Sequence, residues 1–388
     1  MDFGLTETQE DVRRNVKAVC DRFDDAYWSA HDESGDFPVE FTDAIASGGW
    51  LGIAMPEAYG GASLGVSEAA VMMHTVANSA GAMAAASSIH INIFGPHPIV
   101  VFGSDAQRER WLPDLINGRT RTCFGVTEPT AGLNTTQIQT RAVRDGDQYV
   151  VQGQKIWTST AQEADKILLL ARTTPLEETP RPIDGLSLFF TDLDRRHADV
   201  REIAKMGRHA VDSNEVFFDD MPVPAGDRIG EEGKGFRYLL HSLNPERVLV
   251  AAESVGIGQN ALARAADYAR ERVVFGRPIG QNQAIQHPLA ESWAELHAAW
   301  LMTQRAAWLY DQGEPCGPEA NAAKFLAAEA GKRACERAII THGGLGYAKE
   351  MQVERLFRES LINWIAPVSP QLALCNIAEK ALGLPKSY

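Results

Sequence analysis

Several features are scarce or missing in this chain of 388 residues, and each absence narrows its role. It has five cysteines, Cys20, Cys123, Cys316, Cys335 and Cys375, and no pair has C-x-x-C spacing. That argues against a cysteine-based metal centre or a disulfide framework, and no metal site is expected. The expectation is reduced thiols in a cytoplasmic protein. No window approaches ~18 uninterrupted apolar residues, so no membrane span is expected, and the opening residues lack the pattern of a secretory leader. Positive charge is outnumbered, 37 basic against 51 acidic residues, for a net charge of −14. Contact with nucleic acid or an anionic membrane needs clustered Lys and Arg, so neither is expected as a partner. The chain also lacks the βαβ alternation of a doubly wound sheet. Gly256-Ile-Gly258-Gln-Asn-Ala261 matches G-x-G-x-x-A, but no strand precedes it, and it reads as close helix packing.

What is present falls into three parts. Residues 1–120 are predicted helical, with Thr6 and Gln9 spaced as a capping box. Residues 121–232 carry short apolar runs bounded by turn residues, which predicts a small β domain. Residues 233–388 return to helical periodicity. The fold class is therefore α+β, with the sheet between two helical domains. The run Val66–Ile91 suits either one tightly packed helix or two with a break.

The least helical part is Cys123–Thr160. A β-type run, Cys123–Val126, breaks into a loop rich in hydroxyl residues. Two more runs flank Asp145-Gly146-Asp147, where Asp-Gly is a strong hairpin signal. The stretch ends on Trp157-Thr158-Ser159-Thr160. A Trp among hydroxyls suits a flat aromatic ligand with polar edges. A half-buried hairpin with a core Trp suits the same residues.

Five separated motifs, FGVTEPTAGLN (124–134), GQKIWTST (153–160), IGEEGKGF (229–236), RVVFGRPIGQNQ (272–283) and HGGLGYAKEMQVERLFR (342–358), resemble the acyl-CoA dehydrogenase family in their order along nearly the whole chain. The resemblance implies an N-terminal helical domain, a β-barrel-like middle domain and a C-terminal four-helix bundle. It implies an FAD cofactor, an acyl-CoA substrate oxidised to the 2,3-enoyl-CoA, an electron-transfer flavoprotein as acceptor, and a homotetramer or homodimer. By position, Phe124, Val126 and Thr127 would line one side of the flavin ring, and Trp157 and Ser159 the other. A Trp face covers such a plane while hydroxyls and backbone N–H groups stabilise charge at its edge. Leu133 falls in the pyrophosphate cradle, where it and Asn134 replace the usual Ser-Asp. Arg272 and Gln283 match residues that bind the diphosphate and adenosine end, often from a neighbouring subunit, and Arg suits a bidentate phosphate contact; Phe275 in the same motif is a further cofactor-binding candidate. Gly343 and Gly344 match the family's flavin-contacting turn, with Gly346 beside them, and Ser369 and Gln371 match a hydroxyl and a Gln near the cofactor. Ile340 stands where a Gln is common.

The reaction needs a carboxylate to remove the α-proton while a hydride leaves the β-carbon for flavin N5. Many relatives carry this Glu late in the chain, but aligning Ser369 and Gln371 puts Pro367 there, and proline is no base. Pro367 also lacks the N–H that relatives use to polarise the thioester carbonyl. A minority, resembling the isovaleryl-CoA and long-chain types, carry the Glu before an Arg on the helix that opens the last domain. Here that pair is Glu246-Arg247, with Glu246 as base and Arg247 as a substrate contact. Pro245 before it suggests a helix start, with Glu246 near the N-terminus. Competing readings are a relative of another reaction class (lyase, desulfinase or monooxygenase) and a flavin binder without catalysis. Retention of Glu246 favours dehydrogenation.

Overall fold

A computed structural model describes residues 3–387, leaving Met1, Asp2 and Tyr388 outside. Among the described residues the α-helices α1 (Glu7–Cys20), α2 (Asp25–Ser34), α3 (Val39–Ser47), α4 (Val66–Ala77), α5 (Ala82–Phe94), α6 (His97–Phe102) and α7 (Asp105–Ile116) come first. Thr6 and Gln9 close the expected capping box on α1. The run from Val66 is two helices, broken at Asn78–Gly81, and both are buried nearly all round.

The middle of the chain forms β1 (Thr122–Gly125), β2 (Arg141–Asp145), β3 (Gln148–Ser159), β4 (Lys166–Arg172), β5 (Leu186–Asp192), β6 (Ala198–Glu202), β7 (Ser213–Pro224) and β8 (Arg228–Ile229). They make one sheet in the order β6-β7-β3-β2-β4-β5-β8, with β1 parallel to β4. The Asp145-Gly146-Asp147 turn joins β2 to β3 as predicted, and Gly146 has the positive φ (62°) it requires.

The last part is α8 (Gly235–Glu271), a hairpin of β9 (Val273–Val274) and β10 (Arg277–Pro278), then α9 (Gln283–Asp311), α10 (Gly317–His342), α11 (Val353–Ile365) and α12 (Pro370–Lys380). Gly256 and Gly258 pack α8 tightly. A Cβ at Gly256 would lie 2.5 Å from the His74 carbonyl oxygen, and one at Gly258 2.9 Å from the Gly331 Cα. The G-x-G-x-x-A match is therefore a helix-crossing device.

One expectation is corrected. Glu246 is not near a helix start, because α8 begins at Gly235 and Pro245 lies inside it. Proline in a helix interior removes one backbone donor and crowds the preceding turn. Pro245 is buried, as are Val248, Leu249 and Val250, and that packing outweighs the local preference. Among the described residues no single helix is long and apolar enough to cross a membrane, and Cys20, Cys123, Cys316 and Cys335 are buried thiols that form no disulfide.

Candidate functional site

The Cys123–Thr160 stretch folds back on itself around a buried ion pair. After β1 the chain turns through Val126, Thr127 and Glu128. The Glu128 carboxylate accepts from the backbone N–H of Gln139 (2.6 Å) and Thr140 (2.9 Å) and from Lys155 Nζ (2.8 Å). Lys155 Nζ also donates to the Val126 carbonyl at 3.0 Å, and the Ile156 N–H to the Thr127 carbonyl at 2.9 Å. These bonds tie the loop carrying Val126 and Thr127 to the strand carrying Trp157 and Ser159, so the structure brings these four together. Burial pushes the Glu128 carboxyl up, but Lys155 and the N–H donors outweigh it and hold it below the usual range. Burial pulls Lys155 down to about 8 against the attraction of Glu128. Each lies in one of the quoted motifs, but the sequence did not show that they pair, because 27 positions separate them.

Trp157 is no core residue. Its side is 57% exposed, its φ is +61°, and the β3–β7 register shifts between Lys155 and Thr158. Bulges and left-handed non-glycine residues are costly and cluster where a side chain is aimed at a ligand. Beside it, the Thr158 hydroxyl is buried without a partner, while Ser159 is partly buried. Across the site Phe124 is half-buried, its ring 5.7 Å from that of Phe94 on α5. Leu133 is exposed, and the Asn134 side chain accepts from the Thr136 hydroxyl at 2.9 Å.

A second group gathers where α8 and α10 end. The His342 and Tyr268 rings stack at 4.3 Å, which holds the two helix ends together. Arg272 caps α8, and Phe275 stands fully exposed at the tip of the following hairpin with φ +53°. Gln283, the first residue of α9, is exposed. Gly343 ends α10 at φ +61°, and an added Cβ at Gly343 or Gly344 would meet no atom within 4 Å. Gly346 differs, since its Cβ would meet the Ile339 carbonyl at 2.4 Å, so it serves packing. No hydrogen bond among the described residues joins this group to the Trp157 region.

The Pro367 turn lies between α11 and α12. Lys324 on α10, a residue the sequence did not single out, donates to the carbonyls of Trp364 (3.1 Å) and Val368 (2.6 Å) and so fixes that turn. The Ser369 hydroxyl caps α12 by accepting from the Leu372 N–H at 3.3 Å, and Gln371 is exposed.

Glu246 sits deep on α8, 7% exposed, and its Oε2 is buried with no hydrogen-bond partner. Burial pushes its pKa up to about 7, against the pull of His90 and Arg247 and with the repulsion of Glu253. A carboxyl in this state is poised to exchange a proton near neutral pH. Arg247 donates to the Asn244 side chain at 3.1 Å, and its Nε has no partner. No cluster of metal-ligating groups occurs among the described residues.

Three family models match almost end to end: the N-terminal (residues 6–119), middle (123–221) and C-terminal (233–381) domains of acyl-CoA dehydrogenase. The chain belongs to the acyl-CoA dehydrogenase family. It is 34% identical to the acyl-CoA dehydrogenase FadE12 of Mycobacterium tuberculosis, over 100% of this chain and 99% of that one. It is also 34% identical to CarC of Acetobacterium woodii, a subunit of a caffeyl-CoA reductase–Etf complex, over 84% and 86% of the two chains. The solved glutaryl-CoA dehydrogenase in complex with glutaryl-CoA superposes with a TM-score of 0.95 at 29% identity, covering 100% and 98%. Acyl-CoA dehydrogenases are FAD-dependent oxidoreductases, and so is this protein. The residues present suit the cofactor: an outward-facing indole on a bulge, an unpartnered buried hydroxyl beside it, and two glycines with open space above them.

Proposed function

We propose that this acyl-CoA dehydrogenase oxidises an acyl-CoA thioester between its α and β carbons, with Glu246 taking the α-proton. One observation carries the reading: the Glu246 carboxyl is buried with its Oε2 unpartnered, in a chain whose alternative position is Pro367. Desolvation raises proton affinity, so the carboxylate becomes a stronger base than one in water. A group near 7 serves both directions, taking a proton in oxidation and returning it in reduction. Arg247, with its free Nε, is the candidate substrate contact. Bound FAD supplies the acceptor for the β-hydride. Phe124, Val126 and Thr127 would stand on one side of its ring, Trp157 and Ser159 on the other, and Leu133 beside the pyrophosphate. Ser369 and Gln371 are proposed to complete the border near Pro367, Arg272 and Gln283 to hold the diphosphate and adenosine end with Phe275 beside them, and Gly343 and Gly344 to form a flavin-contacting turn.

These groups are not proposed to meet on one FAD within one chain. Arg272 lies 26 residues beyond Glu246 on the same helix, roughly 39 Å at 1.5 Å per residue, farther than the cofactor extends. The reading therefore includes a homodimer or homotetramer in which Arg272 and Phe275 serve a neighbour's cofactor. An electron-transfer flavoprotein is the proposed redox partner, in keeping with the relative found in an Etf complex.

The deciding experiment is anaerobic reduction of the bound flavin by a panel of acyl-CoA thioesters. Wild-type protein is expected to bleach with the right acyl chain. Glu246→Gln is expected to slow bleaching at least about 100-fold, the lower range for loss of a general base. Equal bleaching rates would remove Glu246 from the mechanism.

A further inference from the structure

Glu246 has a buried neighbourhood that the proposed proton transfer does not use. Glu253 lies seven residues along α8, within roughly 20° of the same side. Its carboxylate is 2% exposed and its Oε1 lies 2.6 Å from His90 Nδ1 on α5. His90 itself is 12% exposed. This is the imidazole's one hydrogen bond among the described residues. The His90 ring packs 4.7 Å from Phe94, which in turn meets Phe124. The pair thus joins α5 to α8, and Phe94 links it to Phe124 of the candidate ring wall.

The charged groups facing these side chains can be named. The charges that act on Glu246 are His90 from α5 and Arg247 and Glu253 from its own helix. Toward His90 they are Glu253 and Glu246 from α8, and Arg208 from the loop before β7. Arg208 donates to the Ser87 hydroxyl at 3.0 Å, one turn before His90 on α5. A buried carboxylate is tolerated when it is paired and hydrogen-bonded, and 2.6 Å is a charge-assisted length. Burial works against a charged His90, yet Glu253 outweighs it and the imidazole is held above its ordinary range. His90 is also the strongest attraction opposing the burial of Glu246.

We propose that His90 is a positioning residue for the base: paired with Glu253 on the side of α8 that carries Glu246, it sets the charge surroundings in which Glu246 takes up a proton. This rests on Glu246 being the base. No atom of His90 is needed at the reacting carbons.

The test is the pH profile of kcat/KM in holoenzyme, with flavin content and Tm measured for each variant. His90→Gln removes the cation and leaves Glu253, so the acid limb is expected to move up by roughly one pH unit. Glu253→Gln removes the anion and the support for the cation together, so its upward shift is smaller. His90→Gln/Glu253→Gln matches that smaller shift, and it stands in if the single variant does not fold. A merely structural pair would lower Tm and activity at every pH and leave the limb in place. An unmoved or lowered limb in both His90 variants, with Glu246→Gln inactive, overturns this inference and spares the base. An active Glu246→Gln overturns the base itself.

Discussion

The two ends of the candidate cofactor site are built in opposite ways. At the end near Trp157 every support comes from within the chain. Lys155 is wholly buried, Glu128 is 5% exposed, and together they take up two backbone donors and one carbonyl. At the far end the residues point away from the chain. Phe275 is fully exposed, Tyr347 is 89% exposed, and Ile340 and Val273 are more than half exposed. Apolar surface of that kind marks an interaction site. The contrast teaches that one end is held in place by buried bonds of its own chain, whereas the other presents exposed apolar side chains outward.

The heaviest blow to this contrast falls on Lys155. Lys155→Met leaves the Glu128 carboxylate buried without its cation, a defect that costs ~3–5 kcal/mol. A marked fall in Tm and purification without flavin are expected, and Lys155→Met/Glu128→Gln should recover part of both. Differential scanning fluorimetry and flavin absorbance read the outcome. A Lys155→Met protein as stable and as yellow as wild type would mean the near end does not depend on the pair.

Phe275→Asp strikes the other end. The side chain touches little of its own chain, so Tm of the separated chain should barely change. A charge placed in an apolar contact should split the assembly and release FAD on dilution. Light scattering and flavin fluorescence give mass and occupancy. Wild-type values for both would remove the second copy from the far end.

The same contrast explains what could be read beforehand. Local chemistry was legible: the Thr6–Gln9 capping box, the Asp-Gly turn between β2 and β3, and the glycines of α8 each follow from spacing within a few residues. The site's supports were not. Lys155 meets Glu128 across 27 residues and His90 meets Glu253 across 163, and no local pattern records either. Pro245 misled because its local rule is sound. Proline favours a helix start, but here the buried side of α8 carries the helix through it. The motif resemblance pointed to Glu246 without that rule. The exposure of Trp157 was unreadable as well, since it depends on a register shift against β7 rather than on the residues beside it.

The smallest expected effect on the fold concerns Trp157 itself. Its φ of +61° puts a bulky residue where only glycine is comfortable, at a cost of ~1–2 kcal/mol. Its indole is more than half exposed and returns little packing to the chain. Trp157→Gly should relieve the backbone while loosening the unfolded chain, two effects that oppose each other, so apoprotein Tm should stay within a few degrees of wild type. A ring stacked on the cofactor contributes ~0.5–1.5 kcal/mol beyond its buried area, so flavin affinity should fall about tenfold. Trp157→Phe keeps a ring and the backbone strain, and should fall between the two in affinity. Fluorescence titration of apoprotein with FAD separates these effects. If Trp157→Gly unfolds readily while binding FAD normally, the bulge serves the sheet and the near end loses its outward-facing wall.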